Sequence, residues 1–200
     1  MKKAFVVAAA VALMALMAAC GGMQVQRVSS DTVTDLSGRW NDTDSQLVAE
    51  QIVTDMTSKK WLSTFLKAKG REPRIIVGTI RNKSDEHIEI ETFRKDIENA
   101  LTNSGDVRFV ASKEEREEMR EERTDMQEYA SDDTKKAFKK EKAADFMMKG
   151  VLTSIPDTKG GTKAIYYQVD FELFDLESNE KVWVGQKKIK KVISKSAFGL

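Results

Sequence analysis

The residues best placed to undergo chemistry in this chain lie near its start, at Met17-Ala18-Ala19-Cys20. Small residues ahead of a cysteine, after an apolar run, form the pattern at which a bacterial leader is cut and the cysteine is acylated. Lys2 and Lys3 supply the positive flank, and Ala4 to Ala19 is an unbroken apolar run. That run is shorter than the ~20 residues a membrane-spanning helix needs. Cys20 is the only cysteine, so no intramolecular disulfide competes for it. The expectation is a leader over residues 1–19 and a lipidated Cys20, each buried CH₂ of the acyl chains contributing about 0.8 kcal/mol of membrane affinity. Gly21 follows, in place of the Asp that retains many such proteins at the inner membrane, which points to the outer membrane.

Elsewhere the chemistry thins out. His87, the single histidine, sits in the polar loop Lys83-Ser84-Asp85-Glu86 and reads as a solvated residue. One histidine so placed supports neither a Ser/His/Asp arrangement nor a His-rich metal site. No Gly-rich phosphate loop and no CxxC occurs. Glu114, Glu115, Glu117, Glu118, Glu121 and Glu122 crowd one segment, yet nothing there desolvates a carboxylate enough to make it an acid or base. They read as a solvated helix face or an acidic docking surface, with Glu117 and Glu121 as candidate contacts. Lys187, Lys188, Lys190 and Lys191 flank Ile189 and read as charges that protect a sheet edge. The sharper reading is a phosphate or anionic-lipid patch, and Lys188 is also a candidate partner contact. Trp40, in the turn Gly38-Arg39-Trp40-Asn41-Asp42, reads as a cover for the end of a sheet or as an anchor for a partner. No enzyme, metal, cofactor or small-molecule substrate is expected.

The elements that position these residues follow from periodicity. Ile75, Ile76, Val77 and Ile80 form a β-branched run with the composition of a strand buried on both faces. Phe93, Ile97, Ala100 and Leu101 make one helical stripe, ended by Asn103-Ser104-Gly105. Val107 to Ala111 returns as a strand, and Ser112 with Glu115 forms a capping box for the charged helix. This is a βαβ unit, which sets an α/β class. Upstream, Thr43 and Gln46 read as a capping box ahead of Leu47, Val48, Ile52 and Met56. Trp61, Leu62, Phe65 and Leu66 follow at helical spacing and stop at Gly70. Met119 and Met126 mark a narrow buried seam on the charged helix, and Ser131 or Asp132 opens a further helix along Ala137, Phe138, Lys142 and Ala143. The last third is β: Phe146–Ile155, a turn at Asp157–Gly161, the alternating strand Ile165–Leu173, a turn at Glu177–Glu180, then Val182-Trp183-Val184. The expected fold is one mixed sheet flanked by helices, ending in an antiparallel meander.

The formal charge of +1 becomes −1 when Lys2 and Lys3 leave with the leader, which gives no basic footprint for nucleic acid. Residues 20–36, small and polar after the cysteine, read as a flexible tether; 37–194 as the globular domain; 195–200 as a tail.

The phrases SGRWNDTDSQLVAEQIVTDM, VGTIRNKSDEHIEIETFRKDIENALTNSGDVRFVASKEEREEMREER and ESNEKVWVGQKKIKK carry a resemblance. From about Ser37 to Val192 the chain resembles the LpoB-type activators of penicillin-binding proteins, lipoproteins whose domain is similar to the N-terminal domain of TolB. The resemblance implies an outer-membrane lipoprotein, on the periplasmic side, that binds a class A penicillin-binding protein and raises its peptidoglycan synthesis. A second reading is an assembly subunit of an envelope complex, because curli-export-type lipoproteins share this kind of small α/β domain. Membrane-spanning hairpins need an apolar lipid-facing side. The strand Ile165–Leu173 carries Asp170 and Glu172 on its polar face, which favours the activator.

Overall fold

Asn41 begins the fold by capping its first helix. Its side-chain oxygen accepts the Asp44 N–H at 3.0 Å, and the Asp44 carboxylate accepts the Asn41 N–H at 3.0 Å. This reciprocal pair satisfies two orphan donors and replaces the expected Thr43/Gln46 box two residues later. The computed structural model describes residues 25–30 and 32–194. Within them the element order is α1 (Asp42–Thr57), α2 (Lys60–Lys69), β1 (Arg74–Asn82), α3 (Ile90–Ser104), β2 (Arg108–Phe109), α4 (Lys113–Tyr129), β3 (Phe146–Lys159), β4 (Thr162–Asp175) and β5 (Lys181–Ser194). The chain from Thr34 onward is one compact unit. The described residues before it carry no helix or strand; there the Thr32 N–H donates to Ser29 O at 3.0 Å.

The five strands form one mixed sheet in the order β2-β1-β3-β4-β5. β1 runs parallel to both β2 and β3, whereas β3, β4 and β5 form an antiparallel meander. The βαβ unit and the meander are therefore both present, as is the α/β class. Gly160 and Gly161 alone make the β3–β4 turn, both at positive φ (56° and 81°). That geometry matches the twist of the flanking strands. It lets both strands run to 14 residues, so Asp157, Thr158 and Lys159 belong to β3 and not to a loop.

Only one sheet face is covered. Ile75, Val77, Phe146, Met148, Leu152, Ile165, Tyr167, Val169, Phe171, Leu173 and Trp183 point to it and are buried. α1 packs on α3 and β5, and α3 packs on β1 and β2. Val48, Ile52, Met56, Phe93, Ile97 and Leu101 complete the core from the helix side. Truncating one of these side chains, such as Phe171→Ala, removes about 3–5 kcal/mol. α2 closes one end, with Trp61 and Phe65 edge-on to Phe146 at 5.2 and 5.3 Å. β1 alternates buried and part-exposed residues, so Ile76 faces the uncovered side. The expectation of a strand buried on both faces fails because, among the described residues, no helix crosses that side.

Two further expectations fail for one reason. Residues 131–144 form turns and irregular chain, not a helix. Lys135, Lys136, Lys139, Lys140 and Lys142 repel one another there, and Ala137 and Phe138 are too few to anchor an amphipathic stripe. α4 buries none of its residues, and Met119 is 46% exposed, so the methionine seam is not packed in the core. Both segments lack the apolar area that tertiary packing requires.

Candidate partner-binding surfaces

Trp40 sits at a closed polar centre. Its ring lies edge-on to Phe93 and to Tyr167, each at 5.6 Å, and Nε1 donates to Ser45 Oγ at 2.8 Å. Glu86 holds the same place from the β1–α3 loop: Oε2 accepts the Trp40 N–H at 3.1 Å and Oε1 the Tyr167 hydroxyl at 2.8 Å. Burial, with the Glu86 carboxylate beside it, raises the Tyr167 phenol above its ordinary range. Nearby, Lys191 reaches inward from β5 to Asp44 and Asp35, both at 2.6 Å. Burial raises the Asp44 carboxyl against the pull of Lys191. Burial opposes the Lys191 charge, but Asp35 and Asp44 outweigh it and hold the ammonium raised. Trp40 thus joins the helix N-terminus, the loop and β4 from within.

The uncovered sheet face is the second surface. Across β3, β4 and β5 it carries the rows Lys149–Glu172–Val184, Val151–Asp170–Gln186, Thr153–Gln168–Lys188 and Ile155–Tyr166–Lys190. Asp170 is its polar hub, accepting from Gln168 Nε2 at 2.8 Å and Gln186 Nε2 at 2.5 Å. Val184, Ile155 and Val192 are 60–65% exposed beside these groups. Lys188 belongs to this face with Lys190, whereas Lys187 and Lys191 lie on the helix side of the same strand, Lys187 donating to Gln51 Oε1. The four lysines are therefore split between two faces by the period of the strand.

The third surface lies where α4 leaves β2. Phe109, Ala111, Glu115, Glu118, Met119, Glu121 and Glu122 line a groove of about 790 Å³. Ser112 and Glu115 form the expected capping box, with the Ser112 N–H donating to Glu115 at 2.7 Å. Lys95 of α3 then bridges Glu98 and Glu115 at 2.8 and 2.9 Å, which fixes the start of α4. That ammonium, with the Ser112 cap, holds the Glu115 carboxyl below the usual range. Glu121 lines the groove; Glu117, paired loosely with Lys113 at 3.7 Å, does not. Of the sequence-derived contacts, only Glu117 and Glu121 share an element. Lys188 belongs to the opposite sheet edge, and Trp40 is part-buried against the core. Glu118 stands where the acidic docking surface was expected, Met119 was read as a buried seam instead, and Phe109 was missed, although Glu115, Glu118, Met119 and Glu122 stand at i, i+3, i+4 and i+7, a signal the sequence does carry.

Among the described residues, no group of three or more His, Cys, Asp or Glu is placed to hold a metal ion. No helix of the described residues is long and apolar enough to cross a membrane. Cys20 lies outside the described residues.

The model of the family "peptidoglycan-synthase activator LpoB" matches residues 44–189, from the first turn of α1 to the far half of β5. The chain belongs to the LpoB family. That family is one of synthase activators, not of enzymes that make the bond themselves. Among solved structures, the LpoB C-terminal domain from Salmonella enterica is similar at 15% identity and a TM-score of 0.33, over 66% of this chain and 98% of that one. The LpoB C-terminal domain from Escherichia coli is similar at 16% and 0.31, over 68% and 100%. Lipoprotein GNA1162 from Neisseria meningitidis is similar at 11% and 0.38, over 62% and 86%. No curated protein matches the chain.

Proposed function

We propose that this LpoB-family chain is an outer-membrane lipoprotein, anchored through Cys20, that binds a class A penicillin-binding protein on the periplasmic side and raises its peptidoglycan synthesis. The observation that carries the reading is the family match over residues 44–189, which spans nearly all of the compact unit. Its surfaces suit a binding protein: the core is closed, and the exposed features are a mixed apolar and polar sheet face and an acidic groove. Activation then needs no chemistry from this chain. A domain that prefers the active conformation of its synthase shifts the enzyme toward that state by its differential affinity alone. Residues 1–19 act as the leader, 20–36 as the lipidated tether and 37–194 as the binding domain. Crosslinking in intact envelopes tests the reading. Recovery of a class A synthase joined to residues 37–194 is the expected result. Recovery of only the subunits of a secretion assembly would overturn it.

A further inference from the structure

α4 is held at its two ends and along one side, and among the described residues the side opposite its arginines carries no ion pair at Glu118, Glu121 or Glu122. Successive residues of a helix stand about 100° apart, so Arg116, Arg120 and Arg123 share one side while Glu118, Glu121 and Glu122 fall on the other. The arginines are engaged. Arg116 Nη1 donates to Ala111 O at 2.6 Å, and Arg120 and Arg123 both pair with Glu141, at 2.8 and 3.0 Å. Those two cations hold the Glu141 carboxyl down at about 2. The chain's own lysine-rich segment is thereby drawn to the arginine side, and Gln127 Nε2 fastens it there through Lys136 O at 3.0 Å. Glu118, Glu121 and Glu122 carry no ion pair among the described residues, and they wall the groove floored by Phe109, Ala111 and Met119. An exposed methionine beside a half-buried phenylalanine is a soft, adaptable apolar seat.

We infer that this groove is a docking site for a basic segment of a partner protein that places one large apolar side chain on Met119 and Phe109. Charge complementarity selects the occupant: three uncompensated carboxylates on the wall call for lysines or arginines flanking the apolar residue. A free polyamine or a metal ion would use the wall and ignore the floor. A second copy of this helix would bring carboxylates to carboxylates. The proposal rests on the activator reading only for the identity of the partner, not for the chemistry of the segment.

The probe is a short synthetic peptide of lysines around a single central phenylalanine, labelled for fluorescence anisotropy and titrated into the full chain in detergent. Saturable binding is expected, weakened about tenfold or more by the double change Glu118→Lys with Glu122→Lys and also by Met119→Glu. All three positions are exposed, so thermal melts of both variants should match the parent. A control peptide with serine in place of the phenylalanine should bind at least several-fold more weakly. No saturable binding, equal affinity for the variants, or equal affinity for the serine peptide would each overturn the groove. The synthase assay separates the two readings. If the parent and both groove variants stimulate a synthase equally, the groove proposal falls and the activator reading stands. If the groove binds the probe as expected but no synthase is stimulated, the activator reading falls and the groove stands.

Discussion

The Tyr167 hydroxyl donates to Glu86 Oε1 at 2.8 Å across 81 residues of sequence. This bond ties the centre of β4 to the loop after β1, and the second Glu86 oxygen ties both to the backbone of Trp40. Tyr167→Phe keeps the ring and strands one carboxylate oxygen, a loss of about 1–3 kcal/mol. Thermal denaturation should show a melting point lower by several degrees. An unchanged melting point would mean the bond contributes nothing to stability.

Asp145 does comparable work at the start of β3. It accepts from Arg71 through both oxygens at 2.7 Å and from the Arg74 N–H at 2.8 Å, joining the α2–β1 connection to the meander. Burial raises this carboxyl, but the Arg71 and Arg74 bonds outweigh burial and leave it below the usual range. A depressed folded value means the stabilisation is fully present above about pH 4, the unfolded range, and fades as pH falls through the folded value. Asp145→Asn should therefore cost about 1–3 kcal/mol at pH 6, with the gap to the parent narrowing below about pH 4. A gap that stayed constant down to about pH 2 would assign the loss to something other than the charge.

Strand register supplies a paired test. Val169 is buried on the covered face of β4, and Lys188 is exposed on the open face of β5. Val169→Asp places an unpaired carboxylate in the core and should cost several kcal/mol, whereas Lys188→Glu should stay within about 0.5 kcal/mol. Equal denaturant midpoints for the two variants would contradict the register.

How legible these features were depends on their range. β4 was plain in the sequence because Ile165, Tyr167, Val169, Phe171 and Leu173 alternate with polar residues, and burial follows that alternation residue by residue. Gly105 and the Ser112/Glu115 cap were equally plain, because each is local. The open side of β1 was not. Ile76 is as apolar as Ile75, and what distinguishes them is that, among the described residues, helices pack on the Ile75 side alone. The extension of β3 through Asp157 to Lys159 was hidden by turn-forming residues that the Gly160-Gly161 hairpin turns into strand. Glu86 read as an ordinary loop glutamate, since its partners Trp40 and Tyr167 are brought to it only by tertiary folding. The groove on α4 was half visible: its spacing is in the sequence, but the pairing of Arg120 and Arg123 with Glu141, which leaves the acidic side uncompensated, is not.

The anchor can be tested apart from the domain. Cys20→Ala should abolish palmitate labelling and release the protein from the membrane fraction, while the compact unit, which begins at Thr34, keeps its melting point. Unchanged labelling in that variant would refute lipidation at Cys20.

The central claim is activation of a synthase by binding, and the most direct measurement is the rate of glycan polymerisation by a purified class A penicillin-binding protein from the same cell. Titration with the full chain in detergent should raise that rate saturably, and the half-maximal concentration should match the dissociation constant measured for the pair. A chain that is folded, as shown by its thermal melt, yet neither binds the synthase nor changes its rate would contradict the account.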